Sequence, residues 1–168
     1  MDAVAQGTLD GVRLVAMVAA MLIVSVSLVA LVNSMLAAIG GPLGVTLTLE
    51  GVLGVICAPL AWMIGIPWSE SVTAGALLGQ KVVLNEFLAY LELAKTPASQ
   101  LSERSRVILT YAMCSFANLG SLGILVGGLA AMAPERRSEI AELAPRSVLV
   151  GFLASLLSAA IVGFVSFG

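Results

Sequence analysis

Few side chains in this chain could do chemistry, and they fall where polarity is costly. Glu86 lies near Lys81 in the otherwise mostly apolar stretch LLGQKVVLNEFLAY. A carboxylate near the centre of a bilayer costs about 2.5–3.5 kcal/mol on insertion scales, so such a group faces a cavity or pairs with something. Glu86 is therefore the first candidate for holding a polar ligand. The competing reading is an internal ion pair with Lys81, five residues away and poorly placed on one helix, though a hairpin turn between them would relax that objection. Asn118 and Ser121 form the second candidate pair. An amide that donates and accepts, beside a hydroxyl, suits a ligand rich in hydroxyl groups. The same two residues could instead bond a neighbouring helix, as polar side chains in membrane bundles commonly do. Gly120 and Gly123 beside them favour an unwound segment, where freed backbone groups and a polar side chain form binding sites. Phe116, two residues before Asn118, is on frequency alone a core residue, and Cys57, Cys114 and the methionines read as apolar filler.

Other chemistries are absent. There is no His among the 168 residues and there are only two Cys, so His-based catalysis, most zinc sites and a disulfide framework are excluded. No phosphate-binding glycine loop of the Walker type and no Ser-His-Asp set occurs. Nothing argues for an enzyme, a cofactor or a metal. A net charge of −2 offers no basic surface to nucleic acid.

The elements that must position these residues belong to a membrane. The chain is 60% hydrophobic and 11% charged, with a mean hydropathy of +1.07, whereas a soluble domain is about 45–50% apolar and about 25% charged. An all-α membrane protein follows. Residues 1–12 form an N-terminal segment that lacks the features of a signal peptide. Residues 13–39 predict a transmembrane helix, broken after Ile39 by Gly40-Gly41-Pro42 and long enough for a core of roughly 30 Å. Residues 48–66, with Pro59 and the flanking Trp62 and Trp68, read as an interfacial helix. Residues 69–95 comprise two half-length apolar pieces, the lengths of a re-entrant hairpin, which survives at membrane depth only inside protein or along a water-filled cavity. Residues 104–133 predict a broken transmembrane helix, 134–146 a polar connector bounded by Pro134 and Pro145, and 147–168 a terminal transmembrane helix. Lys95, Arg104 and Arg106 precede the broken span, and Arg136, Arg137 and Arg146 follow it, so the positive-inside rule assigns no orientation. No internal repeat is present.

Several of these segments carry a resemblance. GALLGQKVVLNEFLAYLEL (Gly75–Leu93) resembles the second re-entrant hairpin of the concentrative nucleoside transporter family. RSRVILTYAMCSFANLGSLGILVGGLAAMAPERRSEIAEL (Arg104–Leu143) resembles the broken helix that follows it, with its FAN core and APERR exit. APLAWMIGIPWSES (Ala58–Ser71) is similar to the interfacial segment before the hairpin, and DAVAQGTLDGVRLVAMVAAMLI (Asp2–Ile23) to the stretch leading into a scaffold helix.

The resemblance implies a secondary transporter that takes up nucleosides by sodium or proton symport, homotrimeric when complete and residing in the cell (inner) membrane. The family core is two inverted repeats, each a re-entrant hairpin followed by a broken helix. By resemblance, Glu86 of NEF and Asn118 of FAN bind ribose hydroxyls, Ser121 also touches the sugar, and Phe116 packs against the base. Gly120 stands where the family usually has a small hydroxyl residue. Only one repeat is found in this chain. The missing N-terminal half is expected to supply the remaining base contacts and the coupling-ion site, so the chain reads as the C-terminal half of a transporter. A non-transporting membrane remnant or interaction subunit is the alternative. The lone half is expected not to transport.

Overall fold

The computed structural model describes residues 1–167; the side chains of Leu14, Met17, Val18, Met21, Ser25, Leu43, Ala131 and Phe167 lie outside the description, as does Gly168, the last residue of the expected terminal span. The described residues are all-α. They divide into two units, 1–46 and 47–168.

The first unit is helix α1, Asp2–Gly40, closed by a 3-10 turn at Gly41–Leu43. The expected boundary at residues 12 and 13 is absent: the helix starts at Asp2. Its first turns are held by side-chain pairs at helical spacing, Gln6 Nε2 donating to Asp10 at 3.3 Å and Asp10 facing Arg13 at 3.8 Å. A stretch of 19 residues, Leu22–Gly40, is long and apolar enough to cross a bilayer. Pro42 and the left-handed Gly44 then end it.

The second unit holds six helices: α2 (Leu49–Met63), α3 (Trp68–Val83), α4 (Glu86–Lys95), α5 (Glu103–Met113), α6 (Leu119–Met132) and α7 (Arg137–Phe167). Between α2 and α3 the chain bends through 117°. The interfacial helix expected over 48–66 thus stops at Met63, because Gly65 takes φ +99°, open to glycine at little cost, and Pro67 cannot continue a helix. Having folded back, α2 packs directly on α3. Gly75 permits the approach: a Cβ there would lie 2.5 Å from the Gly54 carbonyl oxygen and 2.7 Å from the Ala58 nitrogen. This fold-back is not foreseen in the sequence.

The expected hairpin corresponds to α3 and α4, which part at Leu84-Asn85. The expected broken helix corresponds to α5 and α6, which part over 114–118. Each second arm is restarted by an asparagine cap, Asn85 for α4 and Asn118 for α6. Elsewhere Ser102 caps α5 and accepts from Ser105 N at 3.3 Å, while its own N–H and hydroxyl both donate to Glu70 Oε2 at 3.1 Å. Arg106 donates to the carbonyl oxygens of Leu93, at 3.0 Å, and Thr96. The end of α4 is thereby fastened to α5. Ala61, Leu78, Ala89, Leu101, Ile108 and Met113 lie at the centre of the packed core.

The polar connector expected over 134–146 is not a separate element. After a 3-10 turn at Pro134–Arg136, α7 runs unbroken from Arg137 through Pro145. Arg, Glu, Ala and Leu all favour helix, and Arg136 pairs with Glu139 at 2.8 Å. Pro145 removes the bond its N–H would have made to the Ala141 carbonyl and crowds that carbonyl, yet the helix continues through it. The stretch Pro134–Ser166 is the second that could cross a bilayer.

Candidate functional site

The two helix breaks of the second unit meet, and most of the candidate residues meet with them. Asn118 is an N-cap: its Oδ1 accepts from Ser121 N at 2.7 Å, its own N–H donates to Ser121 Oγ at 3.2 Å, and that hydroxyl donates to the Asn118 carbonyl at 2.7 Å. Asn118 and Ser121 are each 3% exposed. With Oδ1 occupied by the cap, the amide nitrogen points away from α6, and Nδ2 donates to Glu86 Oε2 at 3.0 Å. Glu86 is the first residue of α4 and half-buried. Its negative charge sits at the positive end of that helix dipole, where a carboxylate is stabilised. Asn85 beside it caps the same helix, accepting from Leu88 N at 3.0 Å. The N-terminal turns of α4 and α6 therefore meet at one carboxylate–amide bond.

Lys81 takes a different partner from the one the ion-pair reading requires. Among the described residues no ion pair within 4.0 Å joins it to Glu86. The side chain, fully buried in the last turn of α3, crosses to the other break, where Nζ donates to Ser115 Oγ at 2.6 Å and to the Ala117 carbonyl at 3.0 Å. Its ammonium lies 5.1 Å from the centroid of the Phe152 ring of α7. Ser115 in turn donates to Ser155 Oγ at 3.2 Å, and Ser155 to the Phe152 carbonyl at 2.7 Å. The two breaks are thus bonded reciprocally, Lys81 reaching from the first to the second and Asn118 from the second to the first.

Phe116 stands apart from this network. The residue is 62% exposed and lines, with Ser115, Ser121, Leu125 and Val148, an apolar cavity of about 510 Å³ between α6 and α7. Ser115, Ser155 and Phe152 are the residues sequence reasoning missed. Ser115 has a signal, being the residue just before FAN; Ser155 and Phe152 lie in an uncharged span where nothing sets them apart from its other serines and phenylalanines. No group of three or more metal-ligating side chains occurs among the described residues. Chemically, Glu86 keeps acceptor capacity beside a donor amide, a pair whose polarity suits hydroxyl groups.

Known proteins share this chain along its length. It is 44% identical over 163 residues to the uncharacterized transporter YutK of Bacillus subtilis, covering 96% of this chain and 40% of the relative. It is 42% identical over 167 residues to the nucleoside permease NupC of Helicobacter pylori, again covering 96% and 40%. The solved structure of CNTnw in an inward-facing substrate-bound state superposes with a TM-score of 0.87 at 47% identity, covering 96% of this chain and 40% of that one. The chain thus spans about 40% of the length of these relatives. They are transporters by name, in keeping with an integral membrane protein rather than an enzyme. The family model described as Na+ dependent nucleoside transporter C-terminus matches residues 1–163, and the chain belongs to that family.

Proposed function

We propose that this chain is the ribose-binding half of a nucleoside transporter driven by cation symport, sodium or proton. The observation that carries the reading is the Asn118–Glu86 bond of 3.0 Å at two capped helix starts. A sugar diol can replace it without leaving either group unpaired: one hydroxyl donates to the Glu86 carboxylate, and an oxygen accepts from the Asn118 amide. Ser121 fixes the amide's orientation and borders the same place, and Phe116 offers its face to the base. The N-terminal part of the relatives, beyond what this chain matches, would supply the remaining walls and the coupling-ion site. The complete assembly is proposed to be a homotrimer in the cell (inner) membrane. In such folds substrate sits between two substructures that move against each other, so one repeat alone leaves half of the site open.

Uptake of uridine and adenosine into proteoliposomes tests this, with the chain alone and co-reconstituted with an N-terminal half, each with and without sodium or a proton gradient. Gradient-dependent uptake is expected only with both halves. If the joined halves assemble yet bind no nucleoside, the chain is an interaction subunit. Saturable accumulation by the lone chain would overturn the half-site reading.

A further inference from the structure

The ammonium of Lys81 sits in a socket that matches its chemistry group by group. An ammonium carries three protons in a tripod. One goes to Ser115 Oγ at 2.6 Å and one to the Ala117 carbonyl at 3.0 Å. The third faces the Phe152 ring, whose centroid is 5.1 Å away, within the range of a cation–π contact. The hydroxyls behind are polarised in one direction. Ser115 accepts from Lys81 and donates to Ser155, and Ser155 donates to the Phe152 carbonyl. Every hydroxyl in the chain thus presents an oxygen toward the charge. Lys81 itself lies in the last turn of α3, at the negative pole of that helix's dipole. Nothing in this set recognises a neutral or anionic group.

We propose that Lys81 is a tethered cation and that its pocket is a latent alkylammonium site, through which Lys81 acts as a positioning residue for the Glu86–Asn118 pair. Its stem crosses from one helix break to the other, so occupancy of the socket holds the breaks in register. The side chain is fully buried, so its removal leaves a lined cavity that a primary amine of about the same length can enter. The socket selects for N–H donors: a quaternary ammonium cannot donate, and a planar guanidinium does not present a tripod.

The full chain in lipid nanodiscs tests this, with Cys57 and Cys114 replaced by Ala and nitroxides at F87C and L119C, positions that are exposed on the two restarted helices. Dipolar broadening between the labels reads the register of the breaks, and no nucleoside is involved, so the result is independent of the transport reading. K81M keeps the volume and removes the donors; it is expected to lose broadening. K81A is expected to lose it too, and to regain most of it saturably with n-propylammonium, which matches the three carbons and nitrogen removed beyond Cβ. Tetramethylammonium and n-propanol are expected to have no effect. Parent-like broadening in K81M, or equal rescue of K81A by propanol, would show that Lys81 only fills space and would overturn the proposal. If K81A does not fold with or without amine, K81M decides.

Discussion

Asn118 donates its amide to Glu86 across 3.0 Å, linking residues 32 positions apart at the first turns of two helices. The bond exists because the oxygen of the same amide is engaged by Ser121 N at 2.7 Å, which leaves the nitrogen to face the carboxylate. Cap and candidate ligand are one side chain, so structural and binding consequences must be separated by choice of substitution.

Glu86→Gln retains size and hydrogen-bonding capacity while removing charge. Joined to an N-terminal half, the variant is expected to assemble normally and to bind nucleoside more weakly by about 1.5–3 kcal/mol, the worth of a charge-assisted hydrogen bond. Isothermal titration with uridine measures this. Parent affinity in the variant would remove Glu86 from the site.

Asn118→Asp preserves the cap, since aspartate is as good an N-cap as asparagine, and replaces the donor by a second acceptor. The helix content of the chain is expected to be unchanged. Nucleoside affinity is expected to fall at least about tenfold, or about 1.4 kcal/mol. Circular dichroism and binding isotherms check both parts.

Asn85→Ala removes the cap of α4 and leaves the side chain of Glu86 in place. A loss of about 0.5–2 kcal/mol in stability is expected, readable as a lower denaturant midpoint in micelles. An unchanged midpoint would mean that packing alone restarts α4.

Gly75→Val places two methyl groups where the backbone of α2 already lies. Overpacking of this kind costs typically about 1–3 kcal/mol. The variant is expected to unfold at lower temperature, whereas Gly128→Val, on α6 with open space around it, is not. Equal effects from the two would dissociate stability from the α2–α3 crossing.

The break at Asn118 is legible in the sequence because Asn, Gly and Ser cluster where an uncharged span should be uniform, and Glu86 is legible because carboxylates are rare there. The partner of Lys81 is not legible. Its acceptors are a serine and a backbone carbonyl on another helix break, and backbone carbonyls leave no mark in composition. The crossing of α2 and α3 is hidden for a similar reason: Gly75 is one of five glycines from Gly51 to Gly79, and only three-dimensional packing tells which one lies against another backbone. The charged residues between Pro134 and Pro145 read as a connector because two prolines bound them. A single proline, however, need not end a helix, and α7 runs through Pro145.

The fastening of Arg106 to the Leu93 and Thr96 carbonyls has a mechanical corollary. The α3–α4 hairpin is pinned at its tip by Lys81 and at the foot of its second arm by Arg106. An element held at both ends cannot swing as a flap. The hairpin and the α5–α6 break therefore behave as one mechanical unit rather than as a flap on a frame.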